Sequence, residues 1–179
     1  MTLASFFATA LKDSLTYVHV ISWAMSDQEV IIRPIELPDD REAHIEMRTQ
    51  LWEEFDREFL DHEALQLYGR IEQGNTEVFM AVTPEGEYCG FVETSLRDFA
   101  EGCKGDPVGY VDGWFVAEKF RKHGLGGMLV EACELWAKSK GCKEVACDVR
   151  VGNKASIAAH EKLGFVEIDR LVHFMKPLY

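Results

Sequence analysis

The segment between residues 108 and 141 constrains the fold most. VGYVDGWFV (108–116) has the β-branched and aromatic content of a strand, FRKHGLGG (120–127) crowds two cations, a histidine and three glycines, and an apolar stretch with helical spacing runs from there to Gly141. A strand that passes through a glycine-rich turn into a helix is the unit of an α/β fold, because the helix must cover a face of the sheet that holds the strand. The turn itself has two readings. It is a flexible connection, or it is a cradle for a phosphate. A helix start leaves backbone N–H groups unpaired and carries partial positive charge. Gly124 and Gly126, on either side of Leu125, allow a ligand to come close to the backbone. Arg121 and Lys122, with His123 beside them, add charge-assisted contacts.

The rest of the chain extends the same architecture. VIIRPI (30–35) reads as a strand, and apolar positions such as Ile45, Leu51, Trp52, Phe55 and Phe59 predict helices over 39–58 and 62–73. EVFMAVT (77–83) and YCGFVETSLR (88–97) flank Pro84, Glu85 and Gly86 as an antiparallel hairpin. CKEVACDVR (142–150) predicts a further strand, KASIAAHEKLG (154–164) a helix closed by Gly164, and FVEIDR and LVHFMKP two last strands. The order β-α-α-β-β-β-α-β-α-β-β implies a mixed, mostly antiparallel sheet of about seven strands with about four helices on its two faces.

Charge narrows the function classes. The 179 residues carry 31 acids against 19 bases, a net charge of −12. Nucleic-acid binding needs basic surface, so nucleic acid is not expected as a partner; nor is a membrane. A surplus of acids suits a cationic ligand, or merely solubility. The five cysteines are odd in number and form no CxxC pair, which favours reduced thiols in the cytoplasm over a disulfide framework. His19, His44, His62, His123 and His173 lack metal-ligand spacing, so no metal site is expected. Residues 1–28 form an extension of unknown role ahead of a domain spanning 29–179. The extension has an amphipathic helical pattern but no apolar run long enough to cross a bilayer.

Two motifs give the chain a family resemblance. Arg121, Gly124 and Gly126 stand in the pattern Arg/Gln-x-x-Gly-x-Gly/Ala, and about thirty residues on Asn153 precedes HEKLGF (160–165). In this the chain resembles the GNAT superfamily of acyl-CoA-dependent N-acyltransferases over roughly residues 30–178, which implies the GNAT fold. It also implies that acetyl-CoA is held by backbone groups around Phe115 and Val116, by the 121–126 loop at the pyrophosphate, and by Asn153 near the pantetheine arm. Asn153 equally reads as a plain helix cap. A backbone N–H near Val116 would meet the oxyanion of the transfer.

The acceptor is an amine, which must lose a proton before it attacks a thioester; carboxylates suit that task. Asp112 lies inside an apolar strand, where an unpaired acid is costly, and Asp148 closes CKEVACD; either one also reads as a solvent-facing or turn-capping residue. Here the chain is similar to aminoglycoside 6′-N-acetyltransferases of the type I group. SLRDFAEGC (95–103), Leu51–Trp52, Asp112, Cys147–Asp148 and Asp169–Arg170 carry that likeness. It implies a homodimer that confers antibiotic resistance, with Trp52, Asp112, Asp148 and Asp169 lining the aminoglycoside site and Asp112 as base. Phe99 stands where relatives have a tyrosine, in a loop one residue shorter. His160 stands where many relatives have a tyrosine acid, and reads either as the proton donor to the leaving thiolate or as a packing residue. Acetylation of a polyamine or protein amine, or acyl-CoA binding without catalysis, are the alternative functions.

Overall fold

The computed structural model of the protein describes residues 21–25 and 28–178. Six strands form one sheet in chain order: β1 (Ile21–Met25), β2 (Gln28–Pro34), β3 (Thr76–Val82), β4 (Tyr88–Arg97), β5 (Val108–Val116) and β6 (Val145–Cys147). All neighbours are antiparallel except β5 and β6. The helices are α1 (Arg41–Leu51), α2 (Arg57–Glu72), α3 (Leu125–Ser139) and α4 (Lys154–Lys162).

Strand alternation sorts the core onto two faces. Phe79, Ala81 and Val92 bury against Leu125, Leu129, Ala132, Cys133 and Trp136 of α3. Val78, Met80, Val82, Phe91 and Phe115 bury against Ile45 and Met47 of α1 and Ala64, Leu67 and Tyr68 of α2. The α/β sandwich expected from the sequence is therefore present, with the sheet between α3 and the α1–α2 pair.

Two irregularities position everything that follows. Across β4 and β5, Glu93 pairs with Gly113 and Thr94 with Val111, so Asp112 has no partner and is the extra residue of a β-bulge. Across β5 and β6, pairing covers only Gly109–Val145, Tyr110–Ala146 and Val111–Cys147. Beyond Val111 the β5 edge facing away from β4 has no strand partner among the described residues.

Four expectations change. The helix predicted over 39–58 is shorter, because the chain breaks after Leu51 and restarts where the Asp56 carboxylate accepts from the Phe59 N–H at 2.8 Å. The strand predicted over 142–150 is regular only over three residues, Val145–Cys147, because the chain leaves the β5 edge after Cys147. Residues 165–178, predicted as two strands, have no regular structure and are mostly exposed. A strand takes its hydrogen bonds from a neighbour, and among the described residues none pairs with this segment. The described residues therefore hold six strands where about seven were expected. Part of the extension, Ile21–Met25, pairs with β2 as β1; the amphipathic pattern of 1–18 lies outside the described residues.

Candidate active site

The cofactor side is built from backbone. Gly124, the cap of α3, has φ +90°, a left-handed conformation that a side chain would strain, and no side chain caps the helix. The first bond back into the helix runs from Met128 N to Gly124 O, which leaves the N–H groups of Leu125, Gly126 and Gly127 to an outside acceptor. A Cβ on Gly126 would lie 2.6 Å from Trp114 Cζ2, so only glycine lets α3 pack this close to β5. The Trp114 indole N–H is buried there without a partner, and its ring meets His160 edge-on at 5.0 Å. Lys122, His123 and Arg121 are exposed around the loop. Arg121 Nε donates to the Val116 carbonyl at 2.7 Å, which fastens the loop to the end of β5.

Phe115 is buried in the α1–α2 core and Val116 half-buried, both on the β5 segment with the free edge. Asn153 is the cap of α4, accepting from Ser156 N at 3.1 Å. This chain, not merely its motif, therefore fits an acyl-CoA: a positive helix start without a cap, an unpaired strand edge, and an orphaned donor between them.

On the acceptor side, Asp112 and Asp148 are each the residue after the last paired position, Val111 with Cys147. They stand together at the fork where the strands part. The bulge aims Asp112 out of the ladder, leaving its side chain 26% exposed. Burial holds its carboxyl above the usual carboxylate range; hydrogen bonds from Ser95 and Arg97 reduce that shift without cancelling it. Tyr110 Oη donates to Asp148 Oδ1 at 2.5 Å. Burial, and then Asp148, push the Cys147 thiol up to about 11, so it is no nucleophile at neutral pH.

Trp52 caps the C-terminus of α1 and lies flat beneath the bulge: a Cβ on Gly113 would meet its Cη2 at 2.7 Å. Arg48 stacks on it, guanidinium carbon 4.6 Å from the centroid, and pairs with the buried Glu93, which His44 Nε2 approaches to 3.0 Å.

Two predicted residues are not brought to this group. Phe99 is 68% exposed in the loop after β4. Asp169 is exposed and accepts from the backbone N–H of Arg170 next to it, although neighbouring Ile168 packs on Gly102 of that same loop. His160, by contrast, is buried between Trp114 and Phe165, its Nδ1 2.8 Å from the Ser156 carbonyl. Arg97, Tyr110, Arg48 and Glu93 are the residues that sequence reading did not single out. An arginine and a glutamate inside the β4 pattern were the available signal.

Residues 44–165 match the Acetyltransferase (GNAT) family. The chain belongs to that family. Aminoglycoside N(6′)-acetyltransferase type 1 of Klebsiella aerogenes is 37% identical over 153 residues, covering 85% of this chain and 99% of that protein. Its namesake from Stenotrophomonas maltophilia is 34% identical over 142 residues, covering 79% and 90%. Among solved structures, AAC(6′)-Iy in complex with the bisubstrate analogue CoA-S-monomethyl-acetylneamine is 29% identical with a TM-score of 0.74, covering 83% of this chain and 99% of that one. AAC(6′)-Ih from Acinetobacter baumannii is 31% identical at the same TM-score, covering 84% and 99%. These GNAT relatives bear out the fold and family read from the two motifs.

Proposed function

We propose that this protein transfers acetyl from acetyl-CoA to the 6′-amine of aminoglycosides and so confers resistance to them. The observation that carries this is the pair Asp112 and Asp148 at the fork of β5 and β6, two residues along β5 from Trp114, on which the uncapped start of α3 packs. The named relatives act on aminoglycosides at that amine, and a chain of net charge −12 attracts a polycation.

Acetyl-CoA supplies the electrophilic thioester. The chain's own residues do the rest. The N–H groups at 124–127, with Arg121, Lys122 and His123, take the pyrophosphate, and the free edge at Phe115–Val116 takes the pantetheine arm with Asn153. Asp112 receives the ammonium proton, directly or through water, and its raised proton affinity makes it a better base than an ordinary aspartate. Asp148 and Trp52 hold the remaining sugar rings; Phe99 and Asp169, which the fold does not bring to this group, are given no part. His160 serves the departing thiolate through Nε2. Nδ1 is taken up by the Ser156 carbonyl, which leaves Nε2 as the ring nitrogen for that task.

The setting is the cytoplasm, and the protein is a homodimer in this reading. Val166, Ile168, Leu171, Val172, Phe174, Met175 and Leu178 are all exposed, more apolar surface in one segment than a lone domain usually leaves to water. Sedimentation of the full chain tests that part; a monomer at micromolar concentration would refute it.

Thiol release from acetyl-CoA with kanamycin, spermidine and a lysine peptide tests the activity. Release with kanamycin, with the product modified at the 6′-amine, is expected. Preference for spermidine or peptide would redirect the acceptor, and binding of acetyl-CoA without any release would mark a non-catalytic module.

A further inference from the structure

Arg97, the last residue of β4, occupies the place an acceptor ammonium needs. Its Nη2 donates to Asp112 Oδ1 at 2.7 Å, and its Cζ lies 3.2 Å from the centroid of the Tyr110 ring. Tyr110 in turn donates to Asp148. One guanidinium therefore pairs with one fork carboxylate and sits on the tyrosine that hydrogen-bonds the other, and it satisfies the carboxylate that has to bind and deprotonate the amine.

This pair is built differently from the other arginine–carboxylate pair on β4. Arg48 and Glu93 are each 4% exposed and fixed inside the core. Arg97 and Asp112 are 42% and 26% exposed. An exposed pair is weak and its arginine is free to swing into water, whereas a buried one is not. We infer that Arg97 is an internal stand-in for the substrate cation, which an incoming ammonium displaces from Asp112, so that Arg97 sets how strongly a cation must bind before it is accepted. The inference rests on the reading of Asp112 and Asp148 as the acceptor's carboxylates.

Arg97 also tunes the base. The groups facing Asp112 are Ser95, Arg97 and Glu93 from β4 and the Cys133 thiol of α3, with Tyr110 and Asp148 at the fork. Of these, Arg97 is the cation that pairs with it. Glu93 is already held by Arg48 and His44.

The test is Arg97→Gln, with Arg97→Lys as the conservative control. In Arg97→Gln the KM for kanamycin should fall roughly three- to tenfold, the scale of a weak exposed ion pair. Plateau kcat should change less than KM, and the acidic limb of kcat/KM should move to higher pH. Arg97→Lys should lie near the wild type on both counts. An unchanged or raised KM, or an acidic limb that stays in place, would overturn the inference. Kanamycin titrated into wild-type protein with ¹⁵N-labelled arginine gives an independent reading. The Arg97 side-chain signal should shift to that of a solvated guanidinium, and a signal that stays put at saturation would overturn the proposal. No thiol release from the wild type with kanamycin would instead refute the acetyl-transfer reading itself.

Discussion

Glu93 and Asp112 stand one residue out of register on neighbouring strands, yet their environments have little in common. Glu93 points into the core beneath the bulge, paired with Arg48 and approached by His44. Burial would raise its proton affinity, but the close approach of His44 and then Arg48 outweighs burial and holds it below the usual carboxylate range. Asp112 points out of the bulge to the fork, half shielded, with one displaceable partner, and its carboxyl lies above that range. A carboxylate with its charge already answered is a structural part. One that is desolvated without being fully answered is available for chemistry. A single extra residue in β5 separates the two conditions.

The comparison breaks if the two acids can exchange consequences. Asp112→Asn should lower kcat about 10²- to 10⁴-fold, the range for a general base, while acetyl-CoA affinity and thermal midpoint stay near wild type; unchanged turnover would remove it from the mechanism. Arg48→Ala strands Glu93 as a buried charge and should cost about 3–5 kcal/mol in urea unfolding; a variant of wild-type stability would mean that Glu93 was not held by that pair.

The two proton affinities also have opposite signs in pH. Glu93, whose folded value is depressed, contributes stability that is full above its unfolded value and is lost as pH falls through the folded one. As the proposed base, Asp112 would have to be ionised to act, so kcat/KM should fall on acidification at a higher pH than an ordinary aspartate would allow. Activity should therefore fade on acidification before the fold does; coincident losses in a stopped assay and in near-ultraviolet circular dichroism would erase the distinction.

Smaller effects probe the cofactor side. Gly126→Ala drives a Cβ into Trp114 and should cost about 1–3 kcal/mol of overpacking, offset by about 1 kcal/mol of helix propensity. Its acetyl-CoA KM should rise more than its kanamycin KM, and the reverse would place Trp114 on the acceptor side. Asn153→Ala removes a helix cap worth about 1 kcal/mol. A rise in acetyl-CoA KM beyond what that loss explains would add a ligand contact to the cap.

The β3–β4 hairpin, β5, the glycine turn and both helices that follow were legible because their signals are local: alternation, a turn tripeptide, left-handed glycines. Asp112 and Asp148 were legible as acids out of place. The bulge that aims Asp112 was not, since it exists only in the count of residues between two paired strands. Nor was the break at 52–56, where the apolar spacing of Trp52, Phe55 and Phe59 continues across the helix restart at Asp56. Arg97 reads as an ordinary strand-end cation until its rotamer is known. For 165–178 the alternation was read correctly, but the missing partner edge is a property of the neighbourhood and not of the segment.

The bulge has a consequence for how such an enzyme diversifies. Removing one residue from β5 would zip Asp112 back into the ladder and reverse the side on which every residue of one flank points. Length changes there would remove the proposed base, whereas the loop at 98–107 lies outside the ladder, so a change in its length leaves the strand register as it is. Under the proposed function, a change of drug preference that leaves the base in place is open to that loop and closed to the length of the strand beside it.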